Sequence, residues 1–292
     1  MRRKKMLPLL AVLTLVSGAS TLAAETSPPE YVAKAPGPQT HPDADGLVVR
    51  EVTRLTVLPD GRIRTHEERA VKILTDYLNR RGEFDPTLTW NDALERLEVL
   101  DARTYMADGT VVEPEANSFV PNTPRVLAWA PDYAHVRQQT IVQIGVEIGS
   151  TSVLAYEVEQ REPAEHPLWA SWDLYSYMPI LEREIVVELP RDQRLRHASV
   201  GGCQLQPEVE RAGGTTRYVF RHEQPGPRNL REARHPDPAG CRLVVSAARG
   251  WGDVRAFLRG RLEPALAEDE ALAAKAEALT EGVLFDEERI GK

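Results

Sequence analysis

Apolar and polar residues alternate with a period of two through most of residues 47–248, the pattern of strands with one face buried. Residues 47–58 (LVVREVTRLTVL) and 62–74 (RIRTHEERAVKIL) flank Pro59-Asp-Gly61, which predicts a hairpin about an Asp-Gly turn. A second pair, 94–106 and 110–114, brackets Ala107-Asp-Gly109, and a third, 135–148 and 152–160, brackets Gly149-Ser-Thr151. Residues 181–189 (LEREIVVEL) alternate and stop at Pro190, as a half-buried strand does. Shorter strands are expected at 194–199, 216–222 and 242–246, with Ala212-Gly-Gly-Thr215 as a hairpin turn. About ten strands with no βα alternation predict a mainly β fold, an antiparallel β-sandwich. After residue 248 the period changes. Residues 251–262 (WGDVRAFLRGRL) and 269–280 (DEALAAKAEALT) carry apolar positions at helical spacing, giving a short C-terminal helical segment. Gly282 is expected to end the second helix, and residues 285–289 (FDEER) read as the acidic first turn of a third.

The N-terminus follows a different logic. Arg2, Arg3, Lys4 and Lys5 precede an apolar run of 11 residues (MLPLLAVLTLV), followed by small residues up to Ala24. A membrane-spanning helix needs about 20 apolar residues, so residues 1–24 are expected to be a secretory signal peptide. An uncleaved anchor is the alternative. Cleavage removes four basic residues and takes the formal charge from −8 to −12. The mature chain is then expected to be periplasmic or secreted, with no transmembrane segment. Residues 25–46, with five prolines and little apolar content, read as an extended Pro-rich linker. With 42% hydrophobic and 27% charged residues, the remainder is an ordinary folding sequence. Its acidic balance argues against general nucleic-acid binding, which depends on phosphate attraction.

Several stretches in order resemble a known family, the β-sandwich domain of unknown function that precedes the core in secreted bacterial transglutaminase-like proteins. They are Glu67-Glu-Arg-Ala-Val-Lys-Ile-Leu-Thr75, Leu97-Glu-Val-Leu-Asp-Ala102 with Ala107-Asp-Gly-Thr110, Gly145-Val-Glu-Ile-Gly-Ser150 with Leu154-Ala-Tyr-Glu157, and Met178-Pro-Ile-Leu-Glu-Arg-Glu184 running to Leu189-Pro190. The tail, with Leu279-Thr-Glu-Gly282 and Asp286-Glu-Glu288, is similar to the helical lead-in to such a core. The resemblance therefore implies a sandwich over 47–248 and a lead-in over 249–292 to a core that these residues do not include. The family's Cys-His-Asp triad belongs to that core, so no catalytic residue carries over and the chain is not expected to be an enzyme. What it implies instead is an accessory domain that positions substrate or packs on the core. A free-standing module binding cell-wall polymer or an envelope protein is the alternative.

The residues themselves say little more about chemistry. A reactive cysteine needs a helix N-terminus and a nearby histidine. Cys203 (GGCQLQP) and Cys241 (CRLVVSA) both sit beside strands, and no histidine follows Cys241. In an exported protein they are candidates for a disulfide, two separate thiols being the alternative. The seven histidines form no HxH or HExxH pair. A zinc set of Cys203, His222, His235 and Cys241 requires four loops to converge, and neither a metal nor a cofactor is expected. Glu157, Glu159, Glu162 and Glu165 read as a solvated face rather than a carboxylate pair. The remaining candidates are aromatic: Trp129 and Tyr133 in AWAPDY, and Trp169, Trp172, Tyr175 and Tyr177 in LWASWDLYSYM. Exposed, they would form a contact surface for a glycan or peptide; buried, they would pack the end of the sandwich or the face of a core.

Overall fold

The two Asp-Gly turns fold as the pattern requires. Gly61 and Gly109 hold φ at 86° and 88°, where a Cβ is penalised. Asp60 and Asp108 each accept a hydrogen bond from the backbone two residues on, Arg62 at 3.1 Å and Thr110 at 2.8 Å. The computed structural model describes residues 27–80, 85–130, 133–226, 240–266 and 269–281. The expected signal peptide, His235, Gly282 and the expected third helix lie outside them.

Five strands form along the first part of the described chain: β1 (Gly46–Val57), β2 (Ile63–Ile73), β3 (Thr87–Asn91), β4 (Glu95–Asp101) and β5 (Thr104–Tyr105). They are followed by β6 (Val111–Val112), β7 (Phe119–Asn122), β8 (Val136–Ile141), β9 (Thr151–Gln160) and β10 (Trp169–Asp173). The last five are β11 (Ile180–Pro190), β12 (Arg196–Val200), β13 (Glu208–Ala212), β14 (Thr215–Gln224) and β15 (Arg242–Ser246). A nine-stranded sheet runs β13-β14-β11-β1-β2-β9-β5-β6, with β4 also paired to β9. Two three-stranded sheets, β10-β15-β12 and β3-β8-β7, complete the body.

Register shows how the sheets stack. Leu55, Thr65, Val158, Leu97, Val187 and Tyr218 are cross-strand partners and so share one face of the large sheet. At one end of that face Leu55, Val187 and Phe220 pack with Leu243 and Val245 of β15, forming the sandwich core. At the other end Leu97, Val99 and Tyr156 pack with Leu88, Ile141 and Phe119 of the second small sheet. Both small sheets therefore cover the same face. A third cluster on it joins Val48, Val71 and Ile180 to Leu78 of α2 (Asp76–Arg80). Burial of each such side chain contributes about 1.5–3 kcal/mol.

The mainly β architecture with short C-terminal helices is the one expected, with four differences. First, β1 and β11 pair in parallel, so the sandwich is not wholly antiparallel. Residues 181–189 lie at the centre of the sheet, where Ile185, Val186 and Val187 are all buried, the continuous apolar run of a strand covered on both faces. Second, β8 pairs with β3 and β7 rather than β9, because residues 142–149, turned by Gly145 and Gly149, carry the chain from one sheet to another. Third, residues 25–46 are not simply a linker. Helix α1 (Glu30–Ala33) docks Val32, and Ala44 joins it, against Leu47, Ala70 and Val153. Tyr31 lies under the Arg50 guanidinium, and Lys72 donates to the Ala35 carbonyl at 2.9 Å. Fourth, β3, β7, β10 and β13 were not anticipated.

Candidate functional site

The aromatic candidates do not form one surface. Trp129 stands on a one-turn helix (Arg125–Trp129) between β7 and β8 and is 92% exposed. Tyr133 is exposed on the same connection, its ring tilted against His135. Trp169 and Trp172 share β10 but point to opposite faces, as odd spacing on a strand requires. Trp169 is 67% exposed on the outer side, whereas Trp172 packs into the sandwich core. Tyr175 is half-buried, and Tyr177 packs on the cluster around Leu78 and Met178. The two cysteines are together: Cys203 and Cys241 form a disulfide with Cα atoms 5.2 Å apart, beside the sandwich core. In that state neither offers a thiolate. Among the described residues no three His, Cys, Asp or Glu side chains are placed to hold a metal ion. Nor is any helix long and apolar enough to cross a membrane.

The outer face of the large sheet shows what the alternating acids do. Glu157 and Glu159 share it with Arg54, His66, Arg64 and Thr56 by register. Arg64 Nη2 reaches Glu159 at 2.6 Å, Arg62 also pairs with Glu159, and His66 lies 3.3 Å from Glu157. Further across, Arg217 reaches Glu184, Glu188 and Glu210 at 3.6, 3.6 and 3.1 Å, and Arg221 reaches Glu208 at 2.6 Å. Hydrogen bonding to Glu208 holds the Arg221 guanidinium above its ordinary pKa. Most of the face is a lattice of opposite charges that pair with one another, although the buried Nε of Arg54 has no hydrogen-bond partner.

The end of the sandwich is open instead. A cavity of about 680 Å³ lies between the β1–β2 turn, the β9–β10 connection, the β11–β12 turn and the residues leading into α3 (Trp251–Ala265). Its floor is apolar (Val57, Ile63, Leu168) and its rim charged (Asp192, Arg194, Arg196). Helix α3 has no side-chain cap at Gly250; instead Asp253 accepts from the Arg249 backbone at 2.9 Å and its guanidinium at 3.0 Å. That guanidinium holds the Asp253 carboxyl below its ordinary range. Two further contacts tie α3 to the body: Arg261 with Glu165 at 2.5 Å, and Phe257 edge-on to His166 at 5.4 Å. Beyond them the helix is bare. Leu258, Leu262 and Leu266 recur every fourth residue along one stripe, and all three are exposed. Helix α4 (Glu270–Thr280), capped by Asp269, exposes Leu272 and Leu279. Such a stripe on surface helices is the mark of a face that meets another one. Its helical spacing was legible in the sequence. The cavity was not, because four separate connections converge to build it.

Taken together, these features describe a mainly β body with an open, charged-rimmed end and a helical tail of exposed leucines. Residues 59–229 match the family model DUF3857, a domain of unknown function with a solved structure, and the chain belongs to that family. A crystal structure described as "a putative protease from Parabacteroides distasonis" superposes with a TM-score of 0.73 at 22% identity, over 85% of this chain and 48% of that one. The chain thus spans about half the length of that protein, and at this identity the likeness is one of fold. An M1 zinc metallopeptidase from Deinococcus radiodurans matches over 70% of this chain and 42% of its own, at 12% identity and a TM-score of 0.32. No curated protein matches the chain.

Proposed function

We propose that this chain is an exported, non-catalytic accessory module that packs against a transglutaminase-like cysteine core and positions substrate for it. The observation that supports this most is the exposed leucine stripe of α3 and α4, leading away from an open sandwich end. Five exposed leucines on two short helices are costly in water and become favourable once a second apolar surface covers them. The protein with a similar fold is twice as long as the part it shares, which is consistent with chemistry carried by a further domain. In this reading the Cys-His-Asp chemistry belongs wholly to the core, and the sandwich end with its charged rim meets substrate or core.

A second reading, a free-standing periplasmic module for cell-wall polymer or a protein partner, is favoured by Trp129, presented almost bare at a loop tip. Sequencing the gene beyond the Lys292 codon, then measuring amide exchange in the product, separates the two. An in-frame core with a helix-borne Cys, then His and Asp, and slowed exchange across residues 251–280 is the expected result. A stop codon with no such core would overturn the proposal, as would a core that leaves those amides unprotected.

A further inference from the structure

A separate, smaller cavity lies on the inward face of the large sheet, at the edge of the second small sheet. It measures about 60 Å³, room for roughly four waters. Arg69 and Leu154 are cross-strand partners, as are Val71 and Ser152, so β2 and β9 set these four side chains together on one wall. Leu78 of α2 and Met178 close the far side, and Gln143, just after β8, completes it.

Two nitrogen donors, the Arg69 guanidinium and the Gln143 amide, face this cavity. Arg69 is exposed on a face otherwise devoted to packing, and it finds no ion-pair partner among the described residues. Its register neighbour Glu51 is engaged by Arg183, with Oε2 accepting from Nε at 2.8 Å and Nη2 at 2.5 Å. Gln143 is only 8% exposed. Its backbone N–H donates to Asp85 at 3.1 Å and its Oε1 accepts from Thr104 at 3.4 Å, yet its buried Nε2 has no acceptor. An orphaned buried amide donor costs about 1–3 kcal/mol, and here it lines the same cavity as a guanidinium with no ion-pair partner among the described residues and the Ser152 hydroxyl. Among the described residues no carboxylate lines the cavity.

A guanidinium and an unpartnered amide donor facing one cavity, with no described carboxylate beside them, suit an anion, and the volume and apolar wall suit a small one with a short alkyl part. We infer that this cavity binds a small aliphatic carboxylate, its oxygens held by Arg69, Gln143 and Ser152 and its alkyl end resting on Leu78, Leu154 and Met178. The fork of a guanidinium matches a carboxylate in two parallel bonds, and Gln143 Nε2 gains the acceptor it lacks. The same chemistry is offered by a free short-chain acid and by the C-terminal carboxylate of a peptide ending in a small residue. The site is independent of the sandwich end and of any core.

The test is a titration of the isotope-labelled full chain with butyrate, following the backbone amide of Ser152, which lines the cavity, by NMR. A saturable shift of that signal is expected, weakened about tenfold or more in Arg69→Gln and abolished in Gln143→Leu. Arg194→Gln, on the distant sandwich rim, serves as a control and should bind unchanged. A short peptide with a free C-terminal alanine that competes, while its amide does not, identifies the peptide source. Binding of butyrate alone identifies the free acid. No saturation, equal affinity in Arg69→Gln, or an equal response to chloride would overturn the inference. Arg69 is exposed, so its variant folds even if Gln143→Leu does not.

Discussion

The outer face of the nine-stranded sheet and the helical tail are both solvent-facing, but they settle their surfaces in opposite ways. On the sheet, Arg54, Arg64, Arg217 and Arg221 stand among Glu157, Glu159, Glu184, Glu188 and Glu208 at i, i+2 positions on adjacent strands. Arg64, Arg217 and Arg221 find carboxylates there, the Nε of Arg54 finds no hydrogen-bond partner, and Val186 and Val219 lie buried beneath. On the tail the exposed apolar positions include five leucines, and Phe257 and Arg261 reach back to the body. A face that pairs its own charges has nothing left to offer a partner, whereas a stripe of leucines is stabilised only by one. Exposure by itself therefore says less about a surface of this protein than whether its groups are already satisfied.

That contrast is anchored by the disulfide, whose removal should have the largest effect. Cys203 follows β12 and Cys241 leads into β15, closing 38 residues beside the sandwich core. Loop-closure entropy makes such a link worth on the order of 3–4 kcal/mol. The Cys203→Ser/Cys241→Ser double variant should lose that much in urea unfolding while α3 and α4 keep their exposure. Thiol titration of the denatured, unreduced chain should find none; two reactive thiols would contradict the bridge.

The interior polar band next to the sandwich core should set the pH limits, with a smaller effect than the bridge. Burial, and then Arg183, hold the His222 pKa below its ordinary 6.5. The folded state thus prefers neutral histidine, so this stability is present above pH 6.5 and is lost as pH falls below it. Burial first, with Glu67 adding, raises the Tyr156 pKa above 10.0, and burial does the same to Tyr31 and Tyr105. Stability from these groups is full below pH 10.0 and is lost as pH rises beyond it, because the unfolded tyrosines ionise first. Urea midpoints should therefore form a plateau between these limits, with His222→Gln flattening the acid side and Tyr156→Phe the alkaline side. A midpoint that falls steadily through the plateau would contradict both assignments.

How much of this was legible in the sequence depends on how local the signal is. The first hairpin was, because Asp60 and Gly61 demand one turn and the flanking alternation sets its register. So were α3 and α4, where Ala, Leu and Glu at helical spacing act over a few residues. The partner of a strand is not a local property. LEREIVVEL shows a strand, but nothing in it says that β1 lies alongside in parallel, and HVRQQTI reads the same whether β9 or β3 receives it. Docking of Val32 and Ala44 was hidden for the same reason, since the prolines around them are a local signal and the surface they meet is not. The aromatic segment failed as a single surface by strand geometry: Trp169 and Trp172 are three apart on β10 and must face opposite ways. Arg69 and Gln143 lie 74 positions apart in the sequence, one on β2 and the other in the connection after β8, and only the fold places them on one cavity.

The charge lattice offers a finer test. Arg217 contacts three carboxylates, yet it is one-third exposed, and exposed pairs contribute little once side-chain entropy and solvent screening are counted. Arg217→Gln should cost up to about 1 kcal/mol at low ionic strength, and most of that loss should vanish in about 1 M salt. A larger, salt-independent loss would mean that the aliphatic stem of Arg217 matters more than its charge.

The smallest expected effect is the one that decides the comparison. If the leucines of α3 and α4 meet nothing in this chain, then Leu262→Ser with Leu266→Ser removes no buried surface, and urea unfolding of the body should move by no more than about 0.5 kcal/mol. The same change shortens the apolar stripe, so sedimentation of concentrated protein should show less self-association than the parent chain. A core substitution such as Phe220→Ala costs about 3–5 kcal/mol, so a loss of that order from the tail variant would place the leucines inside the body's own packing. It would then be the tail, like the lattice, that satisfies itself, and the leucine stripe would no longer argue for a partner. Retained stability with unchanged association would have a different meaning: the helices would be too weakly apolar to hold another surface, and Trp129 would become the better place to look for one.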